Sequence, residues 1–144
     1  MSTLADALLN ARASGDYNLV LSTLPYARFL GLQVEQVDET LRVSLPFRPS
    51  LVGNLALPAL HGGVVGACLE MAGLLQIVHQ RSGPPIPKTI DFTVDYLRAA
   101  RAETLYAEAE VQRLGRRIVN VRMRAYQADR AHAVALGRAN FLVD

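Results

Sequence analysis

The stretch PALHGGVVGACLEMAGLL, residues 58–75, holds the groups best suited to act on a carbonyl. His61, Gly62 and Gly63 open an apolar run of helical pattern. There the backbone N–H groups lack intrahelical acceptors and the helix dipole favours negative charge. Such N–H groups can hold the oxyanion that develops in acyl transfer. Glu70 follows His61 by nine positions and is the one carboxylate in the run. A buried carboxylate without a partner is costly or turns neutral, so either Glu70 faces the surface or the segment is built around it. On a helix it shares a face with Gly63, Gly66, Ala67, Gly73 and Leu74, which leaves open volume beside the carboxylate. Leu74, one turn on, is positioned to touch a substrate. His61 is expected to cap or orient the helix start rather than to move protons.

Gly62 and Glu70 stand eight residues apart, about 12 Å along a helix axis. A base must lie within hydrogen-bond reach of the water it activates. One helix therefore does not easily bring both groups to one carbonyl. Two antiparallel copies about a two-fold axis do, with Gly62 of one facing Glu70 of the other. That predicts a homodimer with two shared sites. Glycine in a helix costs about 0.5–1 kcal/mol relative to alanine. At Gly63, Gly66 and Gly73 this cost predicts close approach by another backbone or by a ligand.

The elements that must hold these groups can be read from periodicity. Leu4, Leu8 and Ala11 predict a first helix, capped by Ser2 or Thr3 and stopped by Gly15. A second short helix is expected in LSTLPYARFLG, residues 21–31, with Pro25 in its first turn and Gly31 at its end. The period then becomes two: Leu41, Val43, Leu45 and Phe47 predict a strand, with residues 32–38 as its hairpin partner. Residues 48–58, with prolines and a Gly-Asn pair, read as an irregular loop. The long helix runs from His61 to Arg81 and is closed by SGPPIP, its apolar stripe being Val64, Cys68, Met71, Leu75 and Val78, widened by Val65, Leu69 and Ala72. Four alternating segments follow, around residues 89–97, 105–111, 119–125 and 131–143. Antiparallel strands in sequence around one long helix predict an α+β fold, one sheet wrapped around one helix. Residues 1–144 read as a single domain, with 1–16 as a helical extension.

Composition narrows the partners. The 144 residues are 51% hydrophobic and 19% charged, as in an ordinary globular protein. Fifteen Lys and Arg against 13 Asp and Glu give +2, too mild for a non-specific nucleic-acid binder. Lys88 is the only lysine; the planar forks of the arginines suit phosphates on a small ligand. Cys68 alone excludes an internal disulfide and a cysteine-rich zinc site, and its position in the apolar stripe predicts packing. The first residues lack the cationic and apolar regions of a signal peptide, and no apolar run is read as long enough to span a membrane. A cytoplasmic protein is expected.

With His-Gly-Gly opening a buried helix and an acid nine positions after the histidine, the chain resembles the hotdog-fold thioesterases of the phenylacetate-pathway (PaaI-like) type. DFTVDYLRAA, residues 91–100, resembles the strand that follows the helix in that family. The resemblance implies hydrolysis of an acyl-CoA thioester by a homodimer, often a dimer of dimers, without metal or cofactor. Gly62 matches the glycine whose N–H polarises the thioester carbonyl, and Glu70 the acid that serves as general base or nucleophile. His61 matches the motif histidine, and Asn54 resembles a loop asparagine that helps position water or substrate. Where many members carry a hydroxyl one turn after the acid, this chain has Leu74, which implies a greasier acyl pocket. Arg113, Arg116 and Arg117, at the Gly115 turn, could line a mouth for the phosphates of coenzyme A. Two other functions stay open at this level. An enoyl-thioester hydratase or dehydratase would need His61 and Glu70 to exchange protons, and a non-catalytic acyl-thioester binding module would have no use for the carboxylate.

Overall fold

The structure, a computed structural model, describes residues 3–81 and 86–144. The first helix, α1 (Leu4–Ser14), starts on a capping box: the Thr3 hydroxyl accepts from the Asp6 N–H, and the Asp6 side chain accepts in return from the Thr3 backbone. It ends at Gly15, whose φ of 79° is the left-handed conformation glycine adopts without strain. The other cap considered, Ser2, lies outside the described residues. A single turn, α2 (Asn18–Leu21), precedes α3 (Pro25–Leu30), which begins on proline and stops at Gly31. The hairpin of β1 (Gln33–Val37) and β2 (Thr40–Leu45) follows in the expected register, with Leu41, Val43 and Leu45 buried.

Residues 48–58 are more ordered than an irregular loop. Pro49–Leu51 forms a 3-10 turn, and β3 (Val52–Asn54) pairs with β4 (Ala59–Leu60) as a small second sheet. These strands are too short to show a period, which is why alternation misses them. Then come α4 (Gly62–Gln80), β5 (Lys88–Tyr96), β6 (Leu105–Leu114), β7 (Ile118–Tyr126) and β8 (Ala135–Leu142). Within the expected SGPPIP stop, residues 82–85 lie outside the described residues.

The main sheet has the order β1-β2-β6-β7-β8-β5, with every neighbouring pair antiparallel. It wraps α4, so the arrangement is the α+β fold of one sheet around one helix. Leu69, Ala72, Leu75 and Ile77 of α4 are fully buried against Val43, Leu105, Val121 and Phe141 of the sheet. Each buried leucine or isoleucine contributes about 1.5–3 kcal/mol through the water it sheds. Of the expected stripe, Cys68, Leu75 and Val78 are buried, as are Val65, Leu69 and Ala72 that widen it, while Val64 and Met71 are only half-buried. A curved sheet covers a wider arc than a flat one, and that arc is centred on Leu69 and Ala72. Gly73 also turns out to serve this core. A Cβ there would meet the Phe141 ring at 3.2 Å and the Met123 sulfur at 3.5 Å, so the close approach is by the protein's own sheet.

By length and composition α4 could cross a membrane, with 19 residues and a hydropathy of 1.4, contrary to the expectation that no run is long enough. Half of that stretch is buried inside the protein, as a core helix requires. Its open side carries Gly63, Gly66, Ala67, Glu70 and Leu74.

Candidate active site

His61 is the N-cap of α4. Its Nδ1 accepts from the Gly63 N–H at 2.9 Å, so the ring proton of this tautomer is on Nε2. The histidine thereby takes one of the orphan N–H groups of the helix start and leaves another. Among the described residues no acceptor lies on the Gly62 N–H, whereas the Gly63 N–H is engaged. Gly62 is therefore the open donor of the pair. The His61 ring is held from below by Gly53 on β3. A Cβ at Gly53 would stand 2.6 Å from the His61 Cα and 2.9 Å from its Cβ. Gly53→Ala must push the His61 backbone away, and overpacking of this kind costs about 1–3 kcal/mol. We expect a lower Tm in a thermal melt, together with reduced turnover as the His61 cap shifts.

Two turns along, Glu70 is half-buried on the open face of α4. Thr89, near the start of β5, donates its hydroxyl to Glu70 Oε2 at 2.9 Å. Among the described residues Oε1 has no hydrogen-bond partner. Leu74 is half-buried and packs on the core. At the other end of β5 the Tyr96 hydroxyl donates to the Gly62 carbonyl oxygen at 2.6 Å. β5 thus runs antiparallel to α4 and touches both ends of the candidate machinery. A cavity of about 280 Å³ beside Gly62 is lined by Leu60, Val65, Tyr96, Leu97 and Val134, with Arg98 at its wall.

Thr89 and Tyr96 were not singled out by the sequence. A contact between Thr89 and Glu70 spans 19 residues, and one between Tyr96 and Gly62 spans 34, beyond the reach of any local pattern. The available signal was indirect: with leucine at 74, a hydroxyl beside the acid had to come from another element.

The remaining candidates are dispersed. Asn54 is exposed on β3 and its Oδ1 accepts from the Ala56 N–H at 3.0 Å, which tightens the hairpin loop. Arg116 and Arg117 are exposed at the β6–β7 turn, beside a groove of about 620 Å³ that also borders Arg113, Asn120 and Asn140. Arg117 already pairs with the Asp144 carboxylate at 2.7 Å, which leaves Arg116 as the freer cation. Burial pushes the Cys68 thiol up to about 12, so it offers no thiolate near neutral pH. His79 contacts the Tyr17 hydroxyl and His132 pairs with Asp129, both away from Glu70. A larger cavity, about 760 Å³, lies among Gln76, His79, Glu108, Arg122 and Arg130. Its Glu108 carboxylate is neutralised by Arg130 at 2.6 Å, and we regard the smaller Gly62 cavity as the chemically relevant one.

Within one protomer Gly62 and Glu70 stand eight residues apart on α4, about 12 Å of axial rise between their backbones. His61 and Glu70 likewise form no pair. Comparison with known proteins decides the family. The family model described as "Thioesterase superfamily" matches residues 57–134, a span that contains the whole His-Gly-Gly to Glu70 run.

The chain belongs to the thioesterase superfamily.

Among its relatives is the medium/long-chain acyl-CoA thioesterase YigI of Escherichia coli K12. The two are 29% identical over 134 residues, covering 83% of this chain and 86% of that one. A crystal structure from Chromobacterium violaceum superposes with a TM-score of 0.78 at 33% identity, over 95% of this chain and 96% of that one. A Shewanella oneidensis protein related to the thioesterase superfamily gives 0.75 at 26% identity, over 98% and 97%. The hotdog arrangement of sheet and helix is thus the family's own. The thioesterase assignment fits a site that offers a backbone donor and a carboxylate.

Proposed function

We propose that this thioesterase hydrolyses acyl-CoA thioesters at two sites, each shared between the two subunits of a homodimer. The observation that carries this is the free edge of β5. The strand pairs with β8 on one side and with no strand on the other among the described residues. Ile90 and Tyr96 on it, and Leu97 just past its end, are at least half exposed. A long unpaired edge that bears exposed apolar side chains is a liability that proteins cover. Antiparallel pairing of two β5 strands about a two-fold axis near the strand centre would bring the Tyr96 end of one copy alongside the Thr89 end of the other. Tyr96 holds Gly62 and Thr89 holds Glu70. Each Gly62 N–H then comes beside the partner's Glu70. The open glycine face of α4 allows the substrate in between.

In this site the Gly62 N–H donates to the thioester carbonyl oxygen and stabilises the negative charge that grows there. The Glu70 carboxylate takes a proton from water as the water oxygen bonds to the carbonyl carbon. Collapse of the tetrahedral intermediate breaks the C–S bond, and the proton on Glu70 passes to the departing sulfur. The products are a free acid and a thiol. Hydration of an enoyl thioester would need a second proton-transfer group, and His61 is occupied as a cap. The whole chain is proposed to act as one domain in the cytoplasm, with α1 as an extension, needing no metal or cofactor. A dimer of dimers, as the family resemblance implies, is compatible with this.

The named relative suggests medium and long acyl chains, and the apolar walls beside Gly62 agree with an apolar acyl group. Arg116, with Arg113 and Arg117, is proposed to meet the CoA phosphates. The test is thiol release from a panel of acyl-CoAs of increasing length and their acyl-pantetheine counterparts. We expect turnover of acyl-CoA. Arg116→Ala should raise KM for the CoA ester about two- to tenfold at low salt, with the penalty shrinking as salt screens the charge. KM for the pantetheine ester, which lacks the nucleotide phosphates, should stay unchanged. No thiol release from any member of the panel would overturn the assignment of substrate class.

A further inference from the structure

We propose that Tyr96 is a positioning residue for the oxyanion donor, acting with His61 as a two-ended clamp on the peptide unit that joins Gly62 to Gly63. The oxygen of that unit accepts from the Tyr96 hydroxyl at 2.6 Å, and its N–H donates to His61 Nδ1 at 2.9 Å. Two side chains from different elements thus hold the two ends of a single peptide plane. The N–H that points at the substrate belongs to the residue immediately before it, Gly62. Glycine has the widest backbone freedom of any residue, and this one sits at the first, frayed turn of a helix. Without a restraint its N–H would sample a range of directions. Once the following peptide is fixed, the Gly62 Cα is anchored with it, and the peptide unit that carries the Gly62 N–H has fewer orientations open to it.

The ring contributes a second restraint. A Cβ on Gly62 would lie 3.3 Å from the Tyr96 Cζ and hydroxyl oxygen, so the ring rests on the face of Gly62 that any side chain would occupy. Tyr96 is 56% exposed in the single protomer, at the end of the edge strand that the proposed dimer would cover, so it is not part of the protomer's core. Preorganised donors cost no reorganisation when charge develops, and their loss falls on the transition state rather than on the bound substrate.

This inference rests on the thioesterase site proposed above, and its test separates the two. Steady-state kinetics of wild type, Tyr96→Phe and Glu70→Gln are compared on one acyl-CoA, with dimer content and Tm measured for each. Tyr96→Phe keeps the ring and removes the hydroxyl. Its kcat is expected to fall about ten- to a hundredfold, less than or similar to the loss of a whole donor, with KM within about threefold of wild type. A trifluoromethyl ketone analogue of the substrate, which adds water to mimic the tetrahedral intermediate, should lose affinity by a similar factor. A plain methylene ketone analogue, which mimics the ground state, should not. If Glu70→Gln is inactive while Tyr96→Phe keeps wild-type kcat, the clamp is wrong and the site stands. If Glu70→Gln keeps wild-type kcat, the site itself is wrong. Equal weakening of both analogues, or a fall in Tm that accounts for the lost activity, also overturns the clamp. Should Tyr96→Phe not fold, Tyr96→Leu gives the same comparison, with a loss in kcat at least as large.

Discussion

Glu70→Gln is expected to lower kcat for an acyl-CoA thioester by about 10²–10⁴-fold, the range by which a positioned general base accelerates proton transfer. The substitution is nearly isosteric. The Thr89 hydroxyl, which donates to Glu70 Oε2 at 2.9 Å, can donate equally to the amide oxygen of glutamine. Fold and dimer should therefore persist, and because Glu70 is only half-buried, Tm should move little. What disappears is the capacity to take a proton from water and return it to the leaving sulfur. KM should change far less than kcat, because the carboxylate acts on water and not on the bound acyl chain. Rapid-mixing measurement of thiol release under single-turnover conditions reads this step alone. A variant with wild-type single-turnover rate would remove Glu70 from the mechanism.

Much of the scaffold behind that carboxylate was legible in the amino-acid sequence, and the reasons are local. Thr3, Gly15, Pro25 and Gly31 bound their helices because caps and left-handed stops depend on neighbours only a few residues away. Leu41, Val43 and Leu45 alternate because one face of β2 is buried. The ends of α4 followed from His-Gly-Gly and from the run of apolar residues. What stayed hidden was tertiary. The sheet's cover of α4 centres on Leu69 and Ala72, within the widened stripe, and leaves Val64 and Met71 at its edge only half-buried. Gly73 looked like a site of outside contact and instead accommodates Phe141. The two side chains that touch the candidate machinery, Thr89 and Tyr96, reach it from another strand, and nothing in their own neighbourhood announces the contact. The separation of Gly62 from Glu70, by contrast, follows from helix geometry alone, and it was enough to call for a second subunit.

The second large effect tests that subunit's contribution. Gly62→Pro removes the N–H donor at the first helical position, where proline is tolerated. His61, with φ −62° and ψ 134°, already has the extended backbone favoured before proline. The added side chain would press on Tyr96, whose hydroxyl holds the Gly62 carbonyl oxygen, so dimer content and Tm are measured beside the activity. The homodimer should fold and lose about 10²–10³-fold in kcat, as for loss of an oxyanion-hole donor. Glu70→Gln homodimers are expected to be nearly inactive for the separate reason given above.

Mixing the two inactive variants is the most direct measurement of the shared site. Gly62→Pro and Glu70→Gln chains are unfolded together, refolded in equal amounts and assayed for thiol release, with mixed dimers quantified by a tag on one variant. In a mixed dimer one site combines both lesions, and the other combines an intact Gly62 with the partner's intact Glu70. Random pairing makes half of the dimers mixed with one good site in each, so about a quarter of wild-type activity should return. A preparation that contains mixed dimers yet stays as inactive as its parents would show that each subunit builds its site alone.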